Sequence, residues 1–325
     1  HLNTNINGNT FNNLTTNTSG SFTFISHNFA LLASGNCTIS NNSIQTGFSK
    51  TVAGNTVTLT ATNSTSPNTS TAVYTNNNFS NITVTGATGI TGFNNTDGGT
   101  APVKTVSNNT FNNWTGGTSA VLGMNFGYWS GASNLNNNTI SNISGQGAIT
   151  GINIGSSANT ASPLNINTNT ITGLISSGTG GSVIGIVSSN SSPAVNIYSN
   201  NISGLSTTSG TCTGISITGA TATAVYKNNI RNLSSSATST AVSGISVTSG
   251  TAVNVYNNFI SDLSAAASNS STALFGLNIS GGTTVNASHN TIYLGSAGTL
   301  TSPGTTFGGA GVFVSSTTAL NLRNN

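Results

Sequence analysis

Very few residues of this chain could do acid-base, nucleophilic or metal chemistry. Among 325 residues there are two carboxylates, Asp97 and Asp262, and no Glu. Three histidines (His1, His27, His289), two cysteines (Cys37, Cys212) and five cations (Lys50, Lys104, Lys227, Arg231, Arg323) complete the set. Two carboxyl groups are the minimum for ordinary glycoside hydrolysis, and they must stand about 5 to 10 Å apart. A hard cation needs several oxygen ligands, and a nucleophilic Ser or Cys needs a base beside it. The chain contains no GxSxG elbow, HExxH pair or phosphate-binding loop. What this sparse set can do depends on the elements that place it.

Those elements announce themselves through a register. Asn9, Asn42, Asn77, Asn109, Asn138, Asn169, Asn200, Asn228, Asn258 and Asn290 each stand two residues before an Ile or Phe. The apolar partners, from Phe11 and Ile44 to Ile260 and Ile292, are spaced 33, 35, 32, 29, 31, 31, 28, 30 and 32 residues apart. A period near thirty is that of a solenoid. Extended segments of that length close into one rung of a parallel β-helix, with rungs ~4.8 Å apart. The asparagines are then expected to stack as a structural ladder. Asn tolerates the left-handed backbone of a tight corner, and its amide can donate to and accept from the copies above and below.

The rest of each repeat reads by alternation. Ser243-Gly244-Ile245-Ser246-Val247-Thr248, Ala252-Val253-Asn254-Val255-Tyr256 and Ile260-Ser261-Asp262-Leu263 give three short strands, with Ile, Val and Leu inward and Ser, Thr and Asn outward. No segment carries a 3.6-residue apolar stripe. The expected fold is all-β: a single-stranded parallel β-helix of three-strand rungs, about ten to eleven rungs of ~31 residues, forming one elongated domain over 1–325. The least regular region, Phe48 to Thr105, is expected to bulge from the stack at Ala61 to Ser70 and Gly92 to Ala101.

Composition agrees. Charged residues make up 2%, against 52 Asn and 105 Ser plus Thr. Such polarity without charge, together with periodic apolar positions, argues for order rather than disorder. The net charge of +3 is dispersed and does not form a basic patch with aromatics, so no nucleic-acid partner is expected. No apolar run could span a membrane. The chain starts at His1 inside a repeat-like phrase and ends at Asn324-Asn325, where another corner is due. A segment of a longer chain, or a subunit that stacks end to end, is expected from this.

Placed on such a rod, the reactive residues separate. Asp97, in the turn Asn94-Asn95-Thr96-Asp97-Gly98-Gly99, lies about five rungs from Asp262, so they cannot pair. Asp97 reads as an Asx-type turn residue, and Asp262 as a corner residue loosely paired with Arg231 one rung below. Cys37 and Cys212 are also about five rungs apart, far beyond disulfide reach, and are expected as free buried thiols. No His–Cys spacing suits zinc. The expectation is no enzyme, no cofactor and no metal.

Two outer features could bind something. Tyr198, Tyr226 and Tyr256 each precede a rung Ile by four residues and should point outward in three consecutive rungs, flanked by Lys227 and Arg231. Such a Tyr ladder could stack on glycan rings or stiffen its own face. Thr56-Val57-Thr58-Leu59-Thr60-Ala61-Thr62 reads as four outward Thr, but neighbouring rungs offer Asn153, Ser216, Ser246 and Asn278 in place of Thr, which argues against an ice-binding face.

Phrases such as Val253-Asn254-Val255-Tyr256-Asn257-Asn258-Phe259-Ile260-Ser261-Asp262-Leu263-Ser264 and Asn137-Asn138-Thr139-Ile140-Ser141-Asn142-Ile143-Ser144 recur over nearly the whole chain. In this repeat style it resembles the long β-strand-repeat, right-handed parallel β-helical cell-surface proteins of Bacteroidota-like bacteria. That resemblance implies a secreted, cell-surface or extracellular location and a role as a non-catalytic fibre, stalk or adhesin. The expected partner is the protein itself or its adjoining repeats. A polysaccharide-binding face on the Tyr ladder is the alternative.

Overall fold

The computed structural model describes residues 2–98, 100–155, 163–189, 194–294 and 308–325. Three parallel sheets wind into a β-solenoid of about nine turns, each of about 32 residues, and no helix occurs among the described residues. Sheet A stacks 11 strands, from Asn3–Asn7 to Ala319–Arg323. Sheet B has 12 strands, ten stacked from Thr10–Phe11 to Thr291–Tyr293 with Leu14–Thr16 and Phe48–Lys50 off that path, and sheet C stacks 10, from Phe22–His27 to Gly309–Val314. Each turn runs through A, a tight corner, B, a loop, C and a second loop. The expected ten to eleven levels correspond to the strands of sheet A.

Register is kept by like residues. Val225 pairs with Ile197 on one side and Val255 on the other, and Leu233 pairs with Leu205 and Leu263. Sheet A follows strict alternation, as in Ala252–Tyr256, so its Val and Ile fill the lumen. In the upper turns that lumen is Ile, Leu and Val. The lower turns add rings, with Phe93 against Phe126 at 6.1 Å and Phe126 against Trp129 at 5.9 Å.

Sheet C breaks the alternation. In Ile149–Ile154 the side chains at Ile149, Ile152 and Ile154 are buried, with Gly151 between the two halves. A Cβ on Gly151 would lie 2.5 Å from the carbonyl oxygen of Gly185 in the next turn and 2.9 Å from the Ile171 side chain. The same clash recurs at Gly185, Gly214, Gly244 and Gly276, against the corner isoleucines of sheet B. Glycine there lets sheet C close onto the Ile column. In the second turn Leu59 takes the glycine place, and the phase shift turns Thr60 and Thr62 inward, 3% and 0% exposed. The four outward Thr expected from alternation are therefore not present on this strand.

Two further expectations are corrected by the backbone. The ladder asparagines do not hold the left-handed conformation. The residue before each does: Gly8 with φ 70°, then Asn41, Asn76, Asn108, Asn137, Thr168, Ser199, Lys227, Asn257 and His289 with φ of 52 to 57°. A second left-handed bend lies inside sheet B, at Asn81, Asn113, Asn142, Asn232 and Asp262, with Gly47, Gly173 and Gly204 in the equivalent place. Nor do the two excursions bulge freely. Ser64, Ser66, Ser70, Asp97 and Ala101 are buried, and the flanking Val57–Thr62 and Ile90–Asn95 are sheet C strands; Gly99 lies outside the described residues.

The glycine column makes a direct prediction. Gly185→Ala places a methyl group against the Gly214 carbonyl and the Ile202 side chain, both closer than 3 Å. It is expected to cost about 1–3 kcal/mol as overpacking. Chemical denaturation of wild type and variant checks this, and equal midpoints would show that the sheets can move apart.

Candidate functional site

The ladder is the most extensive side-chain arrangement in the molecule. The corner residue turns the chain out of the A sheet, leaving the backbone N–H of the next residue without a strand partner. The asparagine of the following turn supplies one. In the middle of the stack the Oδ1 of Asn228 accepts both the backbone N–H of Asn200, at 3.0 Å, and its Nδ2, at 3.0 Å. The second hydrogen on the Asn200 Nδ2 goes back to the carbonyl of Ile166, at 2.9 Å. The Oδ1 of Asn200 in turn accepts the same pair from Asn169. All ten predicted members are joined this way, from Asn9 to Asn290. An eleventh, Asn325, accepts from Asn290 at 2.7 Å and donates to Ala287. Its place was legible in the terminal Asn-Asn pair.

Each mid-stack amide is buried and uses every donor and acceptor, so a carboxylate there has no hydrogen to give. Asn200→Asp is expected to destabilise the fold by about 2–4 kcal/mol at neutral pH, and Asn200→Ala by less, because the acid also sets its charge against the Ile166 carbonyl and the Asn228 Oδ1. Thermal unfolding of the three proteins tests the order. Identical melting temperatures for wild type and Asn200→Asp would contradict it.

The three predicted tyrosines do come together. Tyr198, Tyr226 and Tyr256 stand in one column of sheet A, half-exposed on its outer face. Their rings stack at 4.8 and 4.9 Å with planes 5° and 2° apart. Partial burial, then its two stacked neighbours, push the Tyr226 hydroxyl above its ordinary range. Lys227 occupies the left-handed corner and Arg231 the outer face of sheet B, both exposed. Both faces of Tyr226 are spent on its neighbours, leaving one face each on Tyr198 and Tyr256.

The reactive residues are placed differently from expectation. Asp97 is no exposed Asx turn. Its Oδ2 lies 2.9 Å from the Nζ of Lys104, with the two side chains 2% and 0% exposed. This is the one ion pair among the described residues. Its Oδ1 accepts the Ser64 N–H at 3.0 Å and its Oδ2 the Asn95 Nδ2 at 3.1 Å, while Lys104 also donates to the Tyr128 carbonyl at 2.8 Å. The other deeply buried lysine, Lys50, donates to the Val52 carbonyl. Asp262 sits at a left-handed bend and accepts from the Ser261 hydroxyl, and it makes no ion pair with Arg231, which lies beside Ser261 in the register. The buried pair escaped sequence reasoning because Asp97 lies in an irregular loop after sheet C. The available hint was alternation, which places Lys104 two residues before inward Val106 and in register with buried Ala72.

Cys37 and Cys212 are free and buried, and burial pushes both thiols up to about 12. Such thiols are not poised as nucleophiles. Among the described residues no three His, Cys or acidic side chains could share a metal ion. His1 lies outside the described residues, and His289 is an exposed corner residue near Asn324. His27 is 2% exposed with neither ring nitrogen hydrogen-bonded, in the same column as Thr62 and Asn95. Burial lowers its pKa most, opposed by Asp97 and assisted by Lys104.

That direction sets a pH dependence. The fold holds His27 neutral, so nothing is lost above the unfolded-state value of about 6.5. Below it the unfolded chain takes up a proton that the folded chain resists, and stability falls. Wild type is expected to lose melting temperature between about pH 6.5 and 5, and His27→Leu to flatten that slope. A parallel slope in the variant would refute the assignment.

Comparison of the chain with protein-family models, curated proteins and solved structures gives no match. The class defined by the fold is the parallel β-solenoid with an internal asparagine ladder.

Proposed function

We propose that this chain is a non-catalytic structural rod of a bacterial extracellular or cell-surface fibre, stalk or adhesin, associating end to end or laterally with copies of itself or with adjoining repeats. The observation that carries this reading is the ladder, continuous from the first turn to the last residue. One axial hydrogen-bonded column tied to three parallel sheets resists bending and local opening, as a load-bearing rod requires. The outer surface is largely amide and hydroxyl, with little to titrate or screen.

The second reading, a polysaccharide-binding face, draws on the outward Tyr column and the neighbouring cations. The stacked geometry favours the first, since a sugar ring needs a free aromatic face.

Electron microscopy of the purified chain at micromolar concentration distinguishes them. Filaments with an axial repeat near ~50 Å, the height of the stacked turns, are expected. Tyr226→Ala should leave filaments intact while lowering stability by about 1–2 kcal/mol through two lost ring contacts. Monodisperse single particles, combined with glycan-array binding that vanishes in Tyr226→Ala, would replace the rod by the adhesin face.

A further inference from the structure

We infer that Lys104 and Asp97 condense into an intramolecular amide, so that the folded chain staples one of its own turns covalently. The site is the corner between sheet C and sheet A in the third turn: Asp97 follows the strand Ile90–Asn95, and Lys104 lies in Val103–Ser107. The reading is independent of any fibre assembly.

Four features of the site support it. The reacting groups touch, Nζ to Oδ2 at 2.9 Å, and both are shut away from water. Each is also held from a second direction. The Tyr128 carbonyl fixes the amine, and the Ser64 N–H and Asn95 amide fix the two carboxyl oxygens. Asn95 is itself anchored, accepting the Tyr128 N–H at 2.7 Å and donating to the Thr62 hydroxyl at 3.0 Å. Such restraint converts a slow bimolecular condensation into a unimolecular one. The surroundings are aromatic, with the Phe126 ring 6.0 Å from Nζ and the fully buried Phe93, Trp129 and Tyr74 linked to it ring by ring. In so dry a place a separated ion pair is costly, and transfer of one proton yields a neutral amine and a neutral acid. Burial lowers the pKa of Lys104, in the direction that frees its lone pair.

The chemistry balances without any co-reactant. A proton passes from the Lys104 ammonium to Oδ2 of Asp97. The Nζ lone pair then attacks Cγ, and the carbonyl electrons move onto Oδ1, where the Ser64 N–H stabilises the developing oxyanion. One of the two remaining amine protons moves to Oδ2, the Cγ–Oδ2 bond breaks, and a water molecule leaves. The Oδ1 electrons restore the carbonyl of a secondary amide. Lys50 provides an internal control, being fully buried but donating to a backbone carbonyl instead of a carboxylate.

The test is the intact mass of the full chain, purified folded and measured after denaturation, with a tryptic map of the same sample. The expected result is a mass lower by one water and cleavage after Lys50 but not after Lys104, leaving one peptide from Thr51 to Lys227 that is lighter by a water and yields no backbone fragments between Asp97 and Lys104. Lys104→Arg keeps the charge but cannot condense in this way, and should restore the full mass. An unmodified wild-type mass with normal cleavage after Lys104 would overturn the proposal. So would the same loss of water in Lys104→Arg, because Asp97 precedes Gly98 and could instead close on its own backbone. The looped peptide in wild type, uncut after Lys104 and silent between Asp97 and Lys104, decides the matter even if the variant fails to fold.

Discussion

The structure depends on satisfying one backbone N–H per turn. At each A to B corner a left-handed residue swings the chain, and the next amide leaves the strand ladder. In a water-free lumen wall that donor would be costly. The asparagine one turn on accepts it with the same oxygen that accepts the neighbouring side-chain amide, and its own amide returns a hydrogen bond to the turn below. Every turn is thereby pinned to the next at one point, whatever happens elsewhere around it. Spacings from 28 to 35 residues are tolerated because the length differences are absorbed in the loops flanking sheet C.

Stacking turns at the strand spacing also means that each side chain meets the same position in its neighbours. Tyr lies on Tyr, Asn on Asn and Gly beside Gly. Attractive self-contacts are multiplied along a column, and repulsive ones would be too, which accounts for so few charges in so long a chain. Of the charges that remain, Lys227 and Asp262 sit at left-handed bends and Asp97 and Lys104 in the lower turns, while Arg231 stands singly in its column between Ser203 and Ser261.

Those lower turns are a different environment from the regular upper ones. Phe, Tyr and Trp rings replace branched aliphatics, and loops after sheet C tuck polar groups inward. His27, Thr62, Asn95, Asp97 and Lys104 form a dry, polar inclusion in an otherwise apolar rod. Whatever chemistry this protein does within itself belongs there rather than on its smooth outer faces.

The sequence by itself determined the period, the three strands, the ladder membership and the meeting of Tyr198, Tyr226 and Tyr256, because in a solenoid those follow from translation of one repeat onto the next. Even Asn325 could have been assigned from its place in the count. Tertiary structure decided what lies between copies of the repeat. It moved the left-handed residue one place ahead of each ladder Asn, since the strained corner and the amide that repairs it must be adjacent groups rather than one. It turned Thr60 and Thr62 inward in a strand where Leu59 stands opposite the glycine column of sheet C, a change of phase that simple alternation does not carry. It also buried Asp97 against Lys104: alternation in sheet A already turns Lys104 inward, in register with Ala72, but the irregular loop after sheet C that carries Asp97 back to it repeats in no neighbouring turn.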